Sequence, residues 1–445
     1  MQKPNIILIT VDALRPDHLG FMGYSKNNTP NIDNLAREGI VFRNAFSVGP
    51  TTPYSFPAIL TSTYPLDYSG PQEMKEPRVL ISEVFKKQGY TTAALHSSPY
   101  LSEYFGYGQH WDFFQDIHFD NSKPAGKGKF KKIFNKFLVS VFPWLFFKMV
   151  YWRYKLKGPK KVKARAEFVN RVAKDFIYST KSKNQPFFLW MHYMDAHTPP
   201  MCYTEKQGCS YGQLLGDAVG SAIWSYGNKG ALKQFIKNNF KKYLPETLQD
   251  YDKAINYADA EIGKFLQFLK EQNIFKNSAI CLASDHGDEF LEHGGMGHNI
   301  QLYNEALAVP LIIKLPGEYK NEIKTNPVSL IDLPPTLCDL AGIQAPKAFK
   351  GKSLFKGSPR KEIFHQSAFS KKENHLDIQA LAECNIACQT SEWKYIINYS
   401  NKKEELYNLL KDPKEKNNLA GQNKKVLEEF RANVEKFKKE NPLCF

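Results

Sequence analysis

The stretch Asn5-Ile-Ile-Leu-Ile-Thr-Val11, followed at once by Asp12, decides the fold class. Its apolar residues are nearly continuous rather than alternating, which is typical of a strand that is buried on both faces of a sheet. Similar short runs, separated by helical patterns, recur at Thr91–Leu95, Phe187–His192, Ala279–Ser284 and Val309–Lys314. The sequence therefore predicts an α/β fold in which helices cover both faces of a large, mixed but mostly parallel sheet.

The last quarter of the chain has a different sequence pattern. From about Leu330 it consists of turns and short segments, and Trp393–Tyr399 is predicted to be an edge strand. A lysine-rich amphipathic pattern then predicts a helix over Lys424–Glu440. We expect a large α/β domain over 1–330 and a smaller C-terminal α+β subdomain over 331–445.

Composition is that of a globular protein, with 42% hydrophobic and 24% charged residues among 445. The net charge of +15 points to an anionic partner: nucleic acid, a membrane surface or an anionic substrate. The seven cysteines lack the paired spacing of zinc sites, so we expect ordinary thiols, Cys384 and Cys388 included, in a reducing compartment. Because Met-Gln-Lys-Pro leads directly into the first strand with no signal-peptide pattern, a cytoplasmic protein is expected.

Residues 121–165 form a basic segment with no acidic residue, around the aromatic-rich run Phe137–Trp152. The run is broken by Pro143 and Lys148, which makes it a poor transmembrane helix. Basic flanks around Trp and Phe favour peripheral contact with the inner membrane surface. The alternative is a helical insertion packed on the protein or over its site. Nucleic-acid binding is not expected, because the aromatics cluster in apolar runs instead of alternating with polar residues.

Polar residues placed just after strands are the candidates for chemistry, because ligands of open α/β sheets bind beyond the carboxyl ends of the strands. Asp12, Asp195, His197, Asp285 and His286 are so placed. Strand ends that meet at one edge can gather such carboxylates into a cluster that requires a cation. A mixed carboxylate and imidazole set suits Mn, Zn or Mg, and suits Ca less well. The alternative for each single Asp is a helix N-cap.

Two adjacent threonines, Thr51 and Thr52, precede a helix that is predicted to start near Ser55. A helix N-terminus receives anions and stabilises the alkoxide form of a hydroxyl group. One of the threonines could simply cap the helix, but Ser55 is also placed to do so. That placement leaves Thr52 available for another role.

Several ordered blocks together resemble the sulfatase family within the alkaline phosphatase superfamily. They are Asn5–Phe46 with Asp12-Ala-Leu-Arg-Pro-Asp17, Gly89-Tyr-Thr-Thr-Ala93, Pro186-Phe-Phe-Leu with His197-Thr-Pro, Asp285-His-Gly-Asp through Gly297-His298 to Val309-Pro-Leu-Ile-Ile-Lys314, and Asp332-Leu-Pro-Pro-Thr336 with Glu405-Leu-Tyr-Asn-Leu. The resemblance leaves out only about 120–165 and 205–245. It implies an alkaline phosphatase-like fold.

The resemblance also implies roles for individual residues. Asp12, Asp285 and His286 would bind one divalent metal ion (Mn, Mg, Ca or Zn), and Thr52 would touch it and act as the nucleophile. His197 would contact the substrate or its leaving group, and His298 would take the place of a cationic residue beside the transferring oxygens. Asp195, His197 and His298 are the alternative set for a second metal, although one metal is favoured. His18, His96, His192 and His293 are expected at the surface or in indirect support of the site.

Departures from the family pattern bear on the substrate. Sulfatases carry Cys or Ser followed by x-Pro-x-Arg so that the nucleophile can be oxidised to formylglycine, whereas this chain has Thr52-Pro-Tyr-Ser-Phe56. Ala13 stands where a second acidic residue is usual in calcium-binding members. The resemblance thus implies a sulfate or phosphate ester hydrolase. Two alternatives stay open: a phosphoglycerol or phosphoethanolamine-type transferase acting on a lipid or glycan, and an inactive relative that only binds anions or membranes.

Overall fold

The computed structural model describes residues 3–117 apart from 69, 72 and 75–76, and then residues 165–181, 185–197, 241, 244–317, 321–370 and 381–441. The basic segment 121–165 therefore lies outside the described residues, except for Arg165.

Strands and helices alternate through the first three quarters of the described chain. The strands are β1 (Asn5–Val11), β2 (Ile40–Phe42), β3 (Ala45–Phe46), β4 (Thr91–His96), β5 (Phe113–Asp116), β6 (Phe187–Tyr193), β7 (Ser278–Ser284), β8 (Glu289–Phe290), β9 (Met296–Gly297), β10 (Ala308–Val309), β11 (Leu311–Lys314), β12 (Glu322–Lys324), β13 (Val328–Ser329), β14 (Ile363–Ser370), β15 (Leu381–Gln389), β16 (Trp393–Asn398) and β17 (Lys403–Asn408). The α-helices are α1 (Pro30–Arg37), α2 (Thr52–Thr61), α3 (Ile81–Lys87), α4 (Ala166–Lys181), α5 (Leu244–Glu271), α6 (Asn304–Leu307), α7 (Leu333–Leu340) and α8 (Lys424–Glu440).

Eight strands form the main sheet, in the order β12-β2-β11-β7-β1-β6-β4-β5. β1 lies at its centre, parallel to both β6 and β7, while β11 runs antiparallel to its neighbours. Ile7 and Ile9 point into the core beneath α1, α4 and α5, and Ile6 and Leu8 point into the opposite core beneath α2, α3 and α7. A strand with two buried faces needs apolar residues at every position, which is why its sequence shows no alternation. The predicted fold class is confirmed.

Two predicted strands differ in detail. The run Val309–Lys314 is divided between β10 and β11 at Pro310, which has no N–H to donate to a ladder. The prediction of an edge strand at Trp393–Tyr399 is wrong: β16 is an inner strand, paired antiparallel with β15 on one side and β17 on the other. Its second partner, β17, is a short strand that starts with polar residues. The sequence pattern alone does not distinguish such a strand from a loop.

The C-terminal sheet has the order β14-β15-β16-β17, and the predicted helix α8 packs on it. Leu427, Phe430, Val434 and Phe437 recur at helical spacing and fill that interface. Leu333 and Leu337 of α7, however, belong to the core of the main sheet, so packing continues past the predicted boundary at 330/331. None of the helices in the described ranges combines the length and the apolar character that crossing a bilayer requires.

Candidate functional site

The carboxyl ends of β1 and β7 bring two distant segments together. Val11 and Ser284 are register partners at the end of the two strands, so Asp12 and Asp285 follow at the same level of the sheet. The hydroxyl of Ser284 accepts a hydrogen bond from the N–H of Leu14 at 2.8 Å and lies 2.7 Å from the carbonyl oxygen of Val11. This contact joins the loop after β1 to the end of β7.

Asp12, Asp285 and His286 form a fully buried cluster in which three donor atoms lie within 4.8 Å of one another. His286 Nε2 is 3.7 Å from Asp12 Oδ1 and 3.5 Å from Asp285 Oδ2. Neither of those two carboxylate oxygens has a hydrogen-bond partner among the described residues. Because buried polar atoms are almost always paired, these two oxygens fit the ligand positions of a cation.

Asp285 and His286 are also hydrogen-bonded to the backbone through the atoms that do not face the cluster. Asp285 Oδ1 accepts hydrogen bonds from the backbone N–H groups of Ala13 at 3.2 Å and His286 at 2.9 Å. His286 Nδ1 lies 2.9 Å from the carbonyl oxygen of Gly287 and must donate to it. The Nε2 lone pair of the neutral ring then faces the cluster, as a metal ligand requires.

The electrostatics of the cluster agree with this assignment. Burial and the neighbouring Asp12 carboxylate raise the pKa of Asp285 well above its ordinary range. Burial, together with nearby His298, lowers the pKa of His286 to about 4, so its ring is neutral at physiological pH. Burial opposes ionisation of Asp12, but the surrounding histidines, His197 foremost, outweigh it and hold the pKa of Asp12 well below its usual value. Two carboxylates and a neutral imidazole out of contact with water need a positive charge between them.

Thr52 joins the cluster at the start of α2. Its Oγ1 lies 3.3 Å from Asp12 Oδ2 and 3.4 Å from His286 Nε2. The helix starts at Thr52, earlier than predicted, because Pro53 is tolerated in a first turn. The prediction that Ser55 caps the helix is wrong: its hydroxyl lies inside the helix, 3.0 Å from the carbonyl oxygens of both Gly49 and Thr51. Thr51 is the N-cap residue, and its own hydroxyl has no partner in the described part of the chain.

His197 and His298 lie beside the cluster, as the resemblance implied. The ring of His298 is 4.4 Å from that of His286 and 5.0 Å from that of His197, centroid to centroid. His298 Nδ1 is 2.7 Å from a carboxylate oxygen of Asp288, a fully buried residue that sequence reasoning missed. Burial disfavours the charged ring, but Asp288 outweighs it and raises the pKa of His298 above 6.5. The Asp-His-Gly-Asp block held the only signal for Asp288.

The alternative second-metal set is not assembled. Asp195 is fully buried, and its carboxylate accepts a hydrogen bond from the N–H of Ala166, the first residue of α4, at 3.1 Å. Burial raises the pKa of Asp195 to about 7. Among the described residues, no group of mutually close donor atoms joins Asp195 to His197 and His298. Asp195 therefore serves the start of a helix.

The four histidines to which the resemblance gives no direct role, His18, His96, His192 and His293, are not at the surface. His18 is bonded to Asp252 at 2.8 Å, His293 is paired with Glu305, and His96 is fully buried beside Trp190. His192 is also fully buried, and its Nε2 lies 3.5 Å from Asp12 Oδ2. Among these four, His192 is the one whose ring faces a residue of the cluster, and its support of the site stays a prediction.

Comparisons with known proteins extend over the whole chain. The family model described as Sulfatase matches residues 4–343, and the one described as N-sulphoglucosamine sulphohydrolase, C-terminal, matches residues 292–440. An arylsulfatase of Clostridium perfringens is 28% identical over 454 aligned residues, which cover 94% of this chain and 90% of the relative. A phosphonate monoester hydrolase of Agrobacterium radiobacter superposes with a TM-score of 0.73 at 18% identity, covering 99% of this chain and 96% of that one. A protein solved in complex with its substrate D-glucosamine-2-N,6-O-disulfate gives 0.69 at 18% identity, covering 99% and 98%.

Proposed function

This chain belongs to the sulfatase family, and from that premise we propose that it is a metal-dependent hydrolase of sulfate or phosphate esters with Thr52 as its nucleophile. Family membership bears out the resemblance drawn from the sequence. One observation carries the proposal: the Thr52 hydroxyl lies within 3.4 Å of both Asp12 and His286, at the mouth of a buried set of carboxylate and imidazole donors. An inactive relative would have no need to keep that hydroxyl among the ligands.

Asp12, Asp285 and His286 would hold one divalent cation, with Thr52 touching it. When bound, the cation lowers the pKa of the threonine hydroxyl and polarises the ester oxygens. Two carboxylates and an imidazole suit Mn²⁺ or Zn²⁺ and accommodate Mg²⁺. Ca²⁺ prefers six to eight oxygen ligands, and Ala13 supplies no side-chain oxygen where a second acidic residue is usual.

The protein's own residues then carry out two displacements. In the first, Thr52 Oγ1 gives its proton to solvent and forms a bond to the sulfur or phosphorus atom, while the bond to the leaving oxygen breaks. His197, which the resemblance places at the leaving group, gives a proton to that oxygen. In the second, water gives a proton to His197 and bonds to the same sulfur or phosphorus atom, while Thr52 Oγ1 leaves and takes up a proton from solvent. Protonated His298, held by Asp288, offsets charge on the oxygens in both steps.

Two lines of support bear on the substrate. Threonine cannot be converted to formylglycine, and a simple hydroxyl nucleophile favours phosphate-ester chemistry. Of the three proteins named above, the arylsulfatase favours a sulfate ester, the protein whose substrate is a disulfated glucosamine favours a sulfated glycan, and the phosphonate monoester hydrolase favours a phosphorus ester. We therefore propose an anionic ester, with a glycan the favoured carrier. Four further proposals concern the carrier and the location: lipid linkage of the substrate, transferase activity, membrane contact through 121–165 and a cytoplasmic location. The segment on which membrane contact depends lies outside the described residues.

The test compares T52A with T51A, which changes the neighbouring threonine of similar burial. Each protein, freed of metal and then loaded with Mn²⁺, Zn²⁺, Mg²⁺ or Ca²⁺, is assayed on p-nitrophenyl phosphate, a phosphodiester and a sulfate ester. We expect the wild type to turn over at least one ester only when loaded, and T52A to lose at least 1,000-fold in kcat, an order of magnitude typical for a covalent nucleophile. T51A should stay within about tenfold of the wild type, since its hydroxyl is not among the ligands. Full turnover by T52A would refute the nucleophile assignment, and no turnover by the loaded wild type on any ester would favour the inactive relative.

A further inference from the structure

We propose that His192 is a positioning residue that fixes the carboxylate of Asp12, so that one of its oxygens faces the metal cluster and the other does not. The inference rests on the proposed function, because it takes Asp12 to be a metal ligand. His192 is not among the ligands themselves, since its ring nitrogens do not join the close group formed by Asp12, Asp285 and His286.

His192 is held rigidly beside β1. It lies on the neighbouring strand β6, where it is the register partner of Thr10 of β1, and it is fully buried. Its Nδ1 lies 2.9 Å from Thr10 Oγ1, which also accepts a hydrogen bond from Trp190 Nε1 at 3.0 Å. The ring of Phe56 packs edge-on against the imidazole at 5.0 Å. A ring held by Thr10 and Phe56 in this way directs its remaining nitrogen at one point.

That remaining nitrogen, Nε2, faces Asp12 Oδ2 at 3.5 Å and has no hydrogen-bond partner among the described residues. A lone pair there would face a carboxylate oxygen with no water between them, which is repulsive. A proton on Nε2 turns the same contact into an attractive, charge-assisted one. The hydroxyl of Thr10 lies 2.9 Å from Nδ1 and 3.2 Å from the carbonyl oxygen of Met191. When it donates to the nearer Nδ1, the neutral ring carries its proton on Nε2.

The two oxygens of Asp12 therefore have different surroundings. Oδ2 faces His192 Nε2 and the Thr52 hydroxyl, whereas Oδ1 faces His286 and has no partner in the described part of the chain. A carboxylate anchored through Oδ2 cannot rotate to chelate with both oxygens. His192 thus keeps Asp12 as a ligand through Oδ1 and keeps Thr52 next to it. Partners that orient a metal ligand in this way typically change metal affinity or activity by about 10–100-fold when they are removed.

The experiment measures Mn²⁺ binding by isothermal titration calorimetry, and kcat and KM on the preferred ester, for H192F, H192Q and H365F. H365F is a matched control. His365 is equally buried, packs edge-on against Phe46 and is bonded through Nδ1 at 2.7 Å, but to the carbonyl of Ser47 instead of a partner next to the cluster. H192Q keeps an N–H near the place of Nε2, whereas H192F keeps only the ring volume.

We expect H192F to bind Mn²⁺ about 10–100-fold more weakly than the wild type and to lose kcat more than KM. H192Q should recover most of both losses, and H365F should bind Mn²⁺ as the wild type does. The inference is overturned if H192F binds Mn²⁺ with wild-type affinity, if H192Q is as impaired as H192F, or if H192F abolishes binding completely, as loss of a ligand would.

Two further variants keep the result decisive. D12N separates this inference from the proposed function: if D12N binds Mn²⁺ like the wild type, the metal site itself is wrongly assigned, whereas loss of binding in D12N with normal binding in H192F overturns the role of His192 alone. If H192F does not fold, T10V takes its place, because it removes the hydroxyl that fixes Nδ1 and leaves the imidazole ring in position. A weakening of Mn²⁺ binding by about tenfold in T10V supports the inference, and unchanged binding overturns it.

Discussion

Tyr251 on α5 lies beneath the loop that carries Asp12, and its hydroxyl joins two points of that loop. It donates a hydrogen bond to the carbonyl oxygen of Ala13 at 2.6 Å and accepts one from the N–H of Arg15 at 2.9 Å. Tyr251 and Ala13 are fully buried. Ala13 has a φ of 55°, a left-handed conformation that a residue with a Cβ adopts only when its surroundings impose it. We infer that the hydroxyl of Tyr251 is one of the groups that impose it.

The cost of removing this hydroxyl follows from the groups it leaves behind. Y251F leaves one buried carbonyl and one buried N–H without a partner, and each such group costs about 1–3 kcal/mol. Since the loop can relax in part, we expect the free energy of unfolding to fall by about 2–4 kcal/mol. Ala13 also donates to Asp285, so its displacement should weaken metal binding as well.

Urea unfolding followed by tryptophan fluorescence measures the change in stability, with excess EDTA in all samples so that metal binding does not contribute. Y107F is the control, because the Tyr107 hydroxyl is equally buried but has no hydrogen-bond partner among the described residues. Y107F should stay within about 0.5 kcal/mol of the wild type. The reasoning is refuted if Y251F is as stable as the wild type, or if Y107F loses as much stability as Y251F.

Three other predictions concern the metal, the pH dependence of stability and the membrane. EDTA should lower the melting temperature of the wild type and leave that of D285N unchanged, because a metal at one hundred times its Kd stabilises the folded state by about 2.7 kcal/mol; differential scanning calorimetry measures both. H293Q should lower the free energy of unfolding by more at pH 6 than at pH 9 in urea titrations. Burial lowers the pKa of His293, but the neighbouring Glu305 carboxylate outweighs burial and raises the pKa in the folded state. The stabilisation by the charged ring is therefore complete below pH 6.5 and is lost as the pH rises through the pKa of the folded state. An equal loss at both pH values would show that the ring acts by packing alone. Deletion of 121–165 should abolish flotation with anionic liposomes, and unchanged flotation would exclude this segment as the membrane contact.

Much of the fold could be predicted from sequence because its central strands are buried on both faces. Such strands consist of apolar residues at nearly every position, and this pattern is local. The polar residues that end β1 and β7 could be predicted as neighbours for the same reason, since parallel strands end at one edge of the sheet. The pairing of β16 with β17 could not be predicted in this way, because strand order depends on partners that a local pattern does not name.

Sequence reasoning missed Asp288 and Tyr251, and left His192 between a surface position and a supporting one, for a related reason. Each of them acts on a partner elsewhere in the sequence: Asp288 on His298, 10 residues away, His192 on Asp12, 180 residues away, and Tyr251 on Ala13, 238 residues away. Taken alone, each has the sequence context of an ordinary loop or core residue. Only the assembled fold distinguishes a histidine that faces Asp12 from one that fills space in the core.

Phe56 occupies the position of the arginine in the family pattern and packs beside His192. It stands four residues after Thr52, where the resemblance leads one to expect Arg, and it is fully buried. Its ring packs edge-on against His192 at 5.0 Å and lies 5.3 Å from Trp190. An arginine here would bring a positive charge next to the imidazole that faces Asp12. The exchange of Arg for Phe therefore fits the proposed site, in which an unmodified threonine would be the nucleophile and a packed histidine, not a guanidinium group, would support Asp12.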